Sequence, residues 1–383
     1  MKILVCDYTG ISQQWLEQFT FIKNYEVVGT LTPASDKNLM LEKSWDYLLI
    51  FEQGARQFFN AMIQFMNIAA ERVIYAQDLS SWLEKPAAVF ALINPRTGGG
   101  TIYRHLLFQL GRQLNYFTTC TTSEGLNYIA TSKDNFVIAP MYTNLKNHAE
   151  DDMKFFHELA QKYYQVDDSA GLFLDLGANI GTTGIYFLKK LTPNLKLLAF
   201  EPDAENFKML RANLILNDIE EKAAVENFGL GIEESEQTLY RNGENPGANS
   251  VFAEWFGENN NLPTETIKII SLDKYFAEKN LAADDIKYIW IDTEGFEPQV
   301  LIGAQNILKK NPAPIFMEFN PHIYQKFGFY EKWMSLLSEI YGGYIFIQDA
   351  MKTGNFQEQP LEKLWEYQNY PNQVGDIFLI KKS

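Results

Sequence analysis

LFLDLGANIGTTGIYFL, residues 172–188, is the stretch on which the fold turns. Leu172–Leu176 has the composition of a buried strand, Gly177–Gly181 is a tight loop, and Thr182–Leu188 opens a helix. Strand, glycine loop and helix in that order let an α/β sheet bring backbone close to a ligand at the carboxyl ends of its strands. Gly177 and Gly181 omit Cβ atoms where ligand and chain would touch. Asp175 sits at the strand end, placed to accept a hydrogen bond from an ammonium group.

Twenty residues beyond Gly181 the strand Leu197–Phe200 ends in Glu201–Pro202–Asp203. An acid at the tip of a second strand accepts the two hydroxyls of a ribose. Dinucleotides and S-adenosylmethionine share that geometry, so the loop must decide between them. A dinucleotide loop needs G-x-G-x-x-G to make room for a pyrophosphate. Here the second and third glycine positions hold Asn179 and Thr182, which speaks against a nicotinamide-dependent oxidoreductase. S-adenosylmethionine has no phosphate, and D-x-G-x-N-x-G suits it better. The cofactor candidates are Asp175, Gly177, Ala178, Asn179, Gly181, Glu201 and Pro202, joined by Asn227 and Phe228 from the next strand and turn.

Several motifs in the same order resemble the FkbM-type methyltransferases. They are FLDLGANIGTTGIYF (173–187), AFEPDAENFKMLRANLILN (199–217), NFGLG (227–231), SLDKYF (271–276), IWIDTEGFEPQVLIGA (289–304) and MEFNP (317–321). The resemblance spans about residues 171–319. It implies a Rossmann-like doubly wound sheet of the class I methyltransferase type, with S-adenosylmethionine as methyl donor. It also implies sugars, glycans or natural-product hydroxyls as acceptors. Trp290 stands where that family usually has a lysine, two residues before the aspartate of its IDxEG motif. A non-catalytic scaffold or regulator that kept the fold is the rival reading, with Trp290 as its trace.

Methyl transfer to oxygen requires an aligned nucleophile and a group that takes its proton. Tyr288–Asp292 reads as a strand delivering Asp292 and Glu294, and Ile315–Phe319 as a strand interrupted only by Glu318. A glutamate in a buried strand is costly unless paired or functional. His322 follows, with an ordinary pKa of about 6.5 that suits a general base. Asp292, Glu294, Glu318 and His322 are therefore the catalytic candidates. Glu297 and Pro298 read as the first turn of a helix, where a carboxylate is explained by the helix dipole. Asp292, Glu318 and Asn320 form a weaker candidate set for Mg2+, which the spacing does not favour. The loop Arg241–Phe252, rich in Asn, Gly and Pro, reads equally as an acceptor lid or a surface hairpin.

The remainder of the chain sets the context. Its 383 residues suit two domains, and 46% apolar composition supplies a core for each. A small N-terminal α/β domain is expected over 1–95, with strands at Ile3–Cys6, Val27–Leu31, Tyr47–Phe51 and Arg72–Tyr75. Helices are expected between them at Gln13–Phe21 and Ala55–Ile68. The single glycine of the Asp7–Gly10 turn argues against a phosphate site there. Residues 96–150 read as a linker beginning in the glycine-rich loop 94–101, followed by a helix near 101–115 and a hairpin around Asn127–Pro140. The methyltransferase domain is expected over 151–383, opening with a helix near Asp151–Tyr164 and closing with a strand at Asp376–Lys381. A net charge of -15 without a basic cluster disfavours nucleic acid and anionic membranes as partners. Two cysteines and four histidines form no disulfide framework or metal spacing, and no apolar run reaches membrane-span length. The expectation is a soluble, cytoplasmic protein acting on a small molecule.

Overall fold

The computed structural model describes residues 2–7, 26–32, 44–51, 60, 63–64, 68, 72–75, 100–243, 245–256, 262–354, 356–369 and 374–382. The helix expected at Gln13–Phe21, most of Ala55–Ile68, the turn after Asp7 and the glycine-rich loop up to residue 99 lie outside the described residues. By their internal packing the described residues fall into two units. One comprises 1–118 with 139–145, and the other 119–138 with 146–383.

In the first unit, strands β1 (Lys2–Asp7), β2 (Glu26–Leu31), β3 (Tyr47–Phe51) and β4 (Val73–Tyr75) form a parallel sheet in the order β2-β1-β3-β4. Leu4, Cys6, Leu48 and Ile50 fill its core. Helix α1 (Gly100–Leu114) follows, and the division between units falls within β5 (Phe117–Thr121).

The hairpin expected at Asn127–Pro140 is placed differently. Strand β6 (Asn127–Thr131) pairs backwards with β5, whereas Ile138–Asn144 is helix α2. Asp134 decides this. Its carboxylate accepts the backbone N–H groups of Phe136, Val137 and Ile138, so the chain turns into a helix instead of a second strand.

The second unit is built on an eight-stranded sheet. Its strands are β7 (Leu172–Leu176), β8 (Lys196–Phe200), β9 (Ala223–Glu226), β13 (Ile286–Ile291), β14 (Ile315–Phe319), β15 (Tyr341–Phe346), β16 (Gln359–Pro360) and β17 (Gly375–Lys381). They lie in the order β16-β15-β17-β14-β13-β7-β8-β9. β9, β8, β7, β13 and β14 run parallel, and β17 is inserted antiparallel between β14 and β15. A smaller sheet of β10 (Gly229–Leu230), β12 (Thr264–Ile270) and β11 (Ser235–Tyr240) lies within the same unit.

Alternation along the strands separates two buried faces. Leu174, Leu176, Ile289, Ile291, Ile315 and Met317 point into one aliphatic core. The other face carries Phe173, Tyr288, Trp290, Phe316 and Phe378. They pack on Phe156 of α3 (Glu150–Tyr164) and Phe187 after α4 (Thr182–Tyr186). Trp290 stacks on Phe316 at 3.9 Å and is buried, so it belongs to this aromatic layer.

Candidate active site

The loop after β7 turns under tight backbone constraint. Gly177 adopts φ 94°, and a Cβ there would lie 1.8 Å from the Asp292 carbonyl oxygen. Only glycine permits this approach between the ends of β7 and β13. Gly177 and Ala178 both donate to the Phe200 carbonyl, and Asn213 of α5 (Ala204–Leu216) donates to Ile180. Asn179 has φ 50°, a left-handed conformation.

Glu201 stands at the tip of β8. Its carboxylate accepts the N–H of Asn179 at 2.7 Å and that of Asp203 at 2.8 Å. Burial, with the charges of Asp203 and Asp175 adding to it, pushes its carboxyl up to about 8. Asn227 donates to the Glu201 and Pro202 carbonyls, which ties the end of β9 to this turn. Asp203 caps α5 through one oxygen, while the other forms an ion pair with Arg241 at 2.7 Å and accepts from Asn249 at 3.2 Å. Both belong to the loop Arg241–Phe252, which is therefore anchored beside Glu201.

These elements enclose a cleft lined by Gly177, Asn179, Glu201 and Pro202 on one side and by Asp292, Thr293 and Glu294 on another. Leu239, Ile267 and Ile269 of the small sheet add an apolar wall, and Pro246, Gly247, Asn249 and Val251 of the loop complete it. Among the described residues the lining contains three carboxylates and no lysine, arginine or histidine.

Asp292 and Glu294 are presented by the turn between β13 and α7 (Glu297–Ile302). Glu297 is wholly buried and holds that turn. One oxygen accepts the Thr293 N–H at 2.8 Å, the Thr293 hydroxyl at 3.0 Å and the Gly295 N–H at 3.2 Å. Tyr324 donates to its other oxygen at 2.9 Å. Within this clamp Glu294 adopts φ 54°, a strained conformation for a side chain of its kind. Asp292 faces the open cleft and is otherwise enclosed by protein. Burial and the neighbouring Glu297, Asp376 and Asp175 carboxylates raise its pKa, and burial and Asp292 raise that of Glu294.

The structure places the remaining candidates outside the lined cleft. Asp175 is 1% exposed, its Oδ2 accepts the Gly184 N–H at 3.0 Å, and its Oδ1 has no partner. Burial pushes its carboxyl up to about 7. Gly181 is the N-cap of α4, and Phe228 packs against Phe200 and Tyr275. Glu318 is partly buried near the end of β14, with Oε2 sealed from solvent and unpartnered. His322 is exposed on α9 (Pro321–Lys326). Asn320 caps α9, its Oδ1 receiving the Ile323 N–H. Among the described residues no group of three or more His, Cys, Asp or Glu is arranged to hold a metal ion.

Residues 175–346 match the family of the methyltransferase FkbM domain. Those residues carry a methyltransferase domain of FkbM type. The match continues past Phe319 through β15, so the strands flanking the inserted β17 belong to the FkbM domain as well. A comparison with curated proteins returns no significant match.

Among solved structures, a methyltransferase FkbM from Methylobacillus flagellatus KT aligns at 13% identity over 88% of this chain and 84% of that one, with a TM-score of 0.33. An O-methyltransferase from Bacillus cereus in complex with SAH aligns at 12% identity over 61% of this chain and 81% of that one, at 0.34. A precorrin-6y C5,15-methyltransferase from Geobacter metallireducens GS-15 aligns at 10% over 59% and 87%, at 0.30. Alignments of this quality add nothing to the assignment, which rests on the family match.

Three features of the FkbM domain were not nominated from sequence. The apolar wall of the small sheet comes from strands whose pairing is long-range. The Glu297 clamp was read only as a helix start. Asp376, first acid of an antiparallel strand, is carried by that reversed direction to the carboxyl edge of the parallel strands.

Proposed function

We propose that the FkbM domain transfers the methyl group of S-adenosylmethionine to a hydroxyl of a small acceptor such as a sugar, glycan or natural product. The carrying observation is the cleft between Gly177, Glu201 and Asp292, acidic and free of basic side chains among the described residues. A sulfonium and an ammonium are welcome in such a lining, whereas a pyrophosphate would be repelled. The carboxylates of Glu201, Asp292 and Glu294, all lining the cleft, fit a cationic cofactor.

In this reading Gly177, Ala178, Asn179, Gly181, Glu201 and Pro202 form the cofactor side, with Asn227 and Phe228 holding the adjoining edge. When bound, the cofactor supplies an electrophilic methyl group. Glu201 orients the ribose, and its two N–H partners keep the carboxylate aimed at the cleft. Asp292 or Glu294 accepts the acceptor's proton, since carboxyls raised toward neutrality are matched to that task. Anchoring of the loop Arg241–Phe252 to Asp203 keeps water away from the reacting atoms.

Calorimetric titration with S-adenosylmethionine and S-adenosylhomocysteine, with NADH as control, tests the assignment. Micromolar binding of the first two alone is expected, with Glu201→Ala weakening it at least ten-fold. Unchanged affinity in that variant would remove Glu201 from the site. Binding of NADH alone would overturn the cofactor reading.

A further inference from the structure

The loop Arg241–Phe252 is bonded to both sides of the cleft, through two residues that are neighbours in sequence. On the Glu201 side, Asn249 donates to Asp203 Oδ2 at 3.2 Å, and the Asp203 N–H donates to Glu201 at 2.8 Å. On the other side, the Ser250 hydroxyl donates to the Glu294 carbonyl at 2.9 Å. Glu201 and Glu294, both lining the cleft, are thus joined through Asp203, Asn249 and Ser250 without a break. Pro246, whose carbonyl accepts from Asn206 of α5 at 2.9 Å, fixes the same loop a second time to the Glu201 side.

Ser250 holds the peptide that follows Glu294. Glu294 and Gly295 are both left-handed, at φ 54° and 96°. The carbonyl of the peptide between them accepts from Ser250, and its N–H donates to Glu297 at 3.2 Å. Side chains from two different elements therefore grip one peptide plane at its two ends. Released at one end, that plane can rotate, and Glu294 can leave a conformation that only its surroundings enforce. Ser250 is itself well fixed. Its backbone N–H and carbonyl pair with Tyr240 at the end of β11, at 3.1 and 2.8 Å. Its hydroxyl oxygen accepts the Phe252 N–H at 3.2 Å, which leaves the single hydroxyl proton for Glu294. Ser250 is 1% exposed, so water does not compete for that proton.

We propose that Ser250 is a positioning residue of the methyltransferase, fixing Glu294 toward the acceptor in response to cofactor seated at Glu201. This rests on the methyltransferase reading and adds an order of events to it. A ribose held by Glu201 steadies Asp203, Asn249 carries the restraint into the loop, and Ser250 delivers it to the turn after β13. The cofactor thereby tightens that turn before the acceptor arrives. The peptide between Glu294 and Gly295 is the two-state element that such coupling requires.

Hydrogen exchange on the full chain, read by mass spectrometry with and without saturating S-adenosylhomocysteine, tests this. In wild type the ligand is expected to slow exchange over both 245–252 and 293–297, by about ten-fold or more. In Ser250→Ala the slowing should persist over 245–252 and be lost over 293–297. Ser271→Ala removes the hydroxyl that caps the helix Leu272–Lys279, away from the cleft, and should follow wild type. Asn249→Ala cuts the same chain at Asp203. It should also lose the slowing over 293–297, and it carries the comparison if Ser250→Ala does not fold. Equal slowing over 293–297 in wild type and Ser250→Ala overturns the proposal, as does a wild type that binds the ligand without slowing there. Loss of S-adenosylhomocysteine binding in Ser250→Ala overturns it too, since Ser250 would then belong to the cofactor side itself. Failure of wild type to bind S-adenosylhomocysteine removes the cofactor reading and this proposal with it.

Discussion

At the scale of single residues, the chemistry of the FkbM domain depends on side chains that are costly where they stand. Gly177 is one extreme, because any larger residue drives a Cβ into the Asp292 carbonyl at a backbone angle that L-residues avoid. Gly177→Ala is expected to cost about 3 kcal/mol or more and to abolish cofactor binding, as read by urea unfolding and calorimetry. Wild-type-like stability would show that the turn has slack. The proton acceptor is a second matter. Asp292→Asn is expected to lower kcat by about 10²–10⁴, whereas His322→Ala, removing an exposed side chain of α9, should stay within a few-fold. The reverse pattern in single-turnover rates would move the base to His322. The motif 172–188 exposed the need for glycine at 177 because a close approach of backbone is signalled by neighbours in sequence. His322 shows the limit. Its position after β14 suggested a base, yet only the path of α9 turns the side chain outward.

At the scale of elements, the turn from β13 to α7 is the device that presents Asp292 and Glu294. Glu297 satisfies three donors of that turn with one oxygen and takes the Tyr324 hydroxyl with the other. An alanine there removes both acceptors and leaves the enclosed Thr293 and Gly295 donors unpaired. Glu297→Ala should destabilise the protein by about 2–4 kcal/mol and weaken S-adenosylhomocysteine binding along with it. Lost affinity without lost stability would mean that Glu297 contacts the ligand directly. From sequence this residue looked sufficiently explained by its place in the first turn of a helix. Its partner Tyr324 sits 27 residues away on α9, and no local pattern announces such a bond. The displaced hairpin around Asn127 has the same origin, since Asp134 starts a helix through side-chain bonds that compete with strand pairing.

At the scale of the whole molecule, charge dominates. Asp175, Glu201 and Asp376 hold their protons more tightly in the folded state, with carboxyls at about 7, 8 and 7. Their folded values exceed their unfolded ones, so the native state binds the extra protons between about pH 4 and pH 8. Stability of the ligand-free protein should therefore fall as pH rises through that window. Saturating S-adenosylmethionine, a cation, should flatten the decline. Melting temperatures from pH 5 to 8 with and without it test this, and a rise with pH in the free protein would refute it. The sequence alone determined that residues 171–319 form a strand–loop–helix nucleotide fold with an acid at the tip of its second strand, because period and glycine placement are local properties. It also determined a last strand, through the apolar run Asp376–Lys381, whose antiparallel direction only the pairing with β14 and β15 gives. Only the tertiary structure decided which acids share one edge, that Trp290 belongs to an aromatic layer, and that the loop Arg241–Phe252 is tied to Asp203. Those outcomes depend on strand order and register, which bring together residues up to two hundred positions apart and leave no periodic trace in the chain.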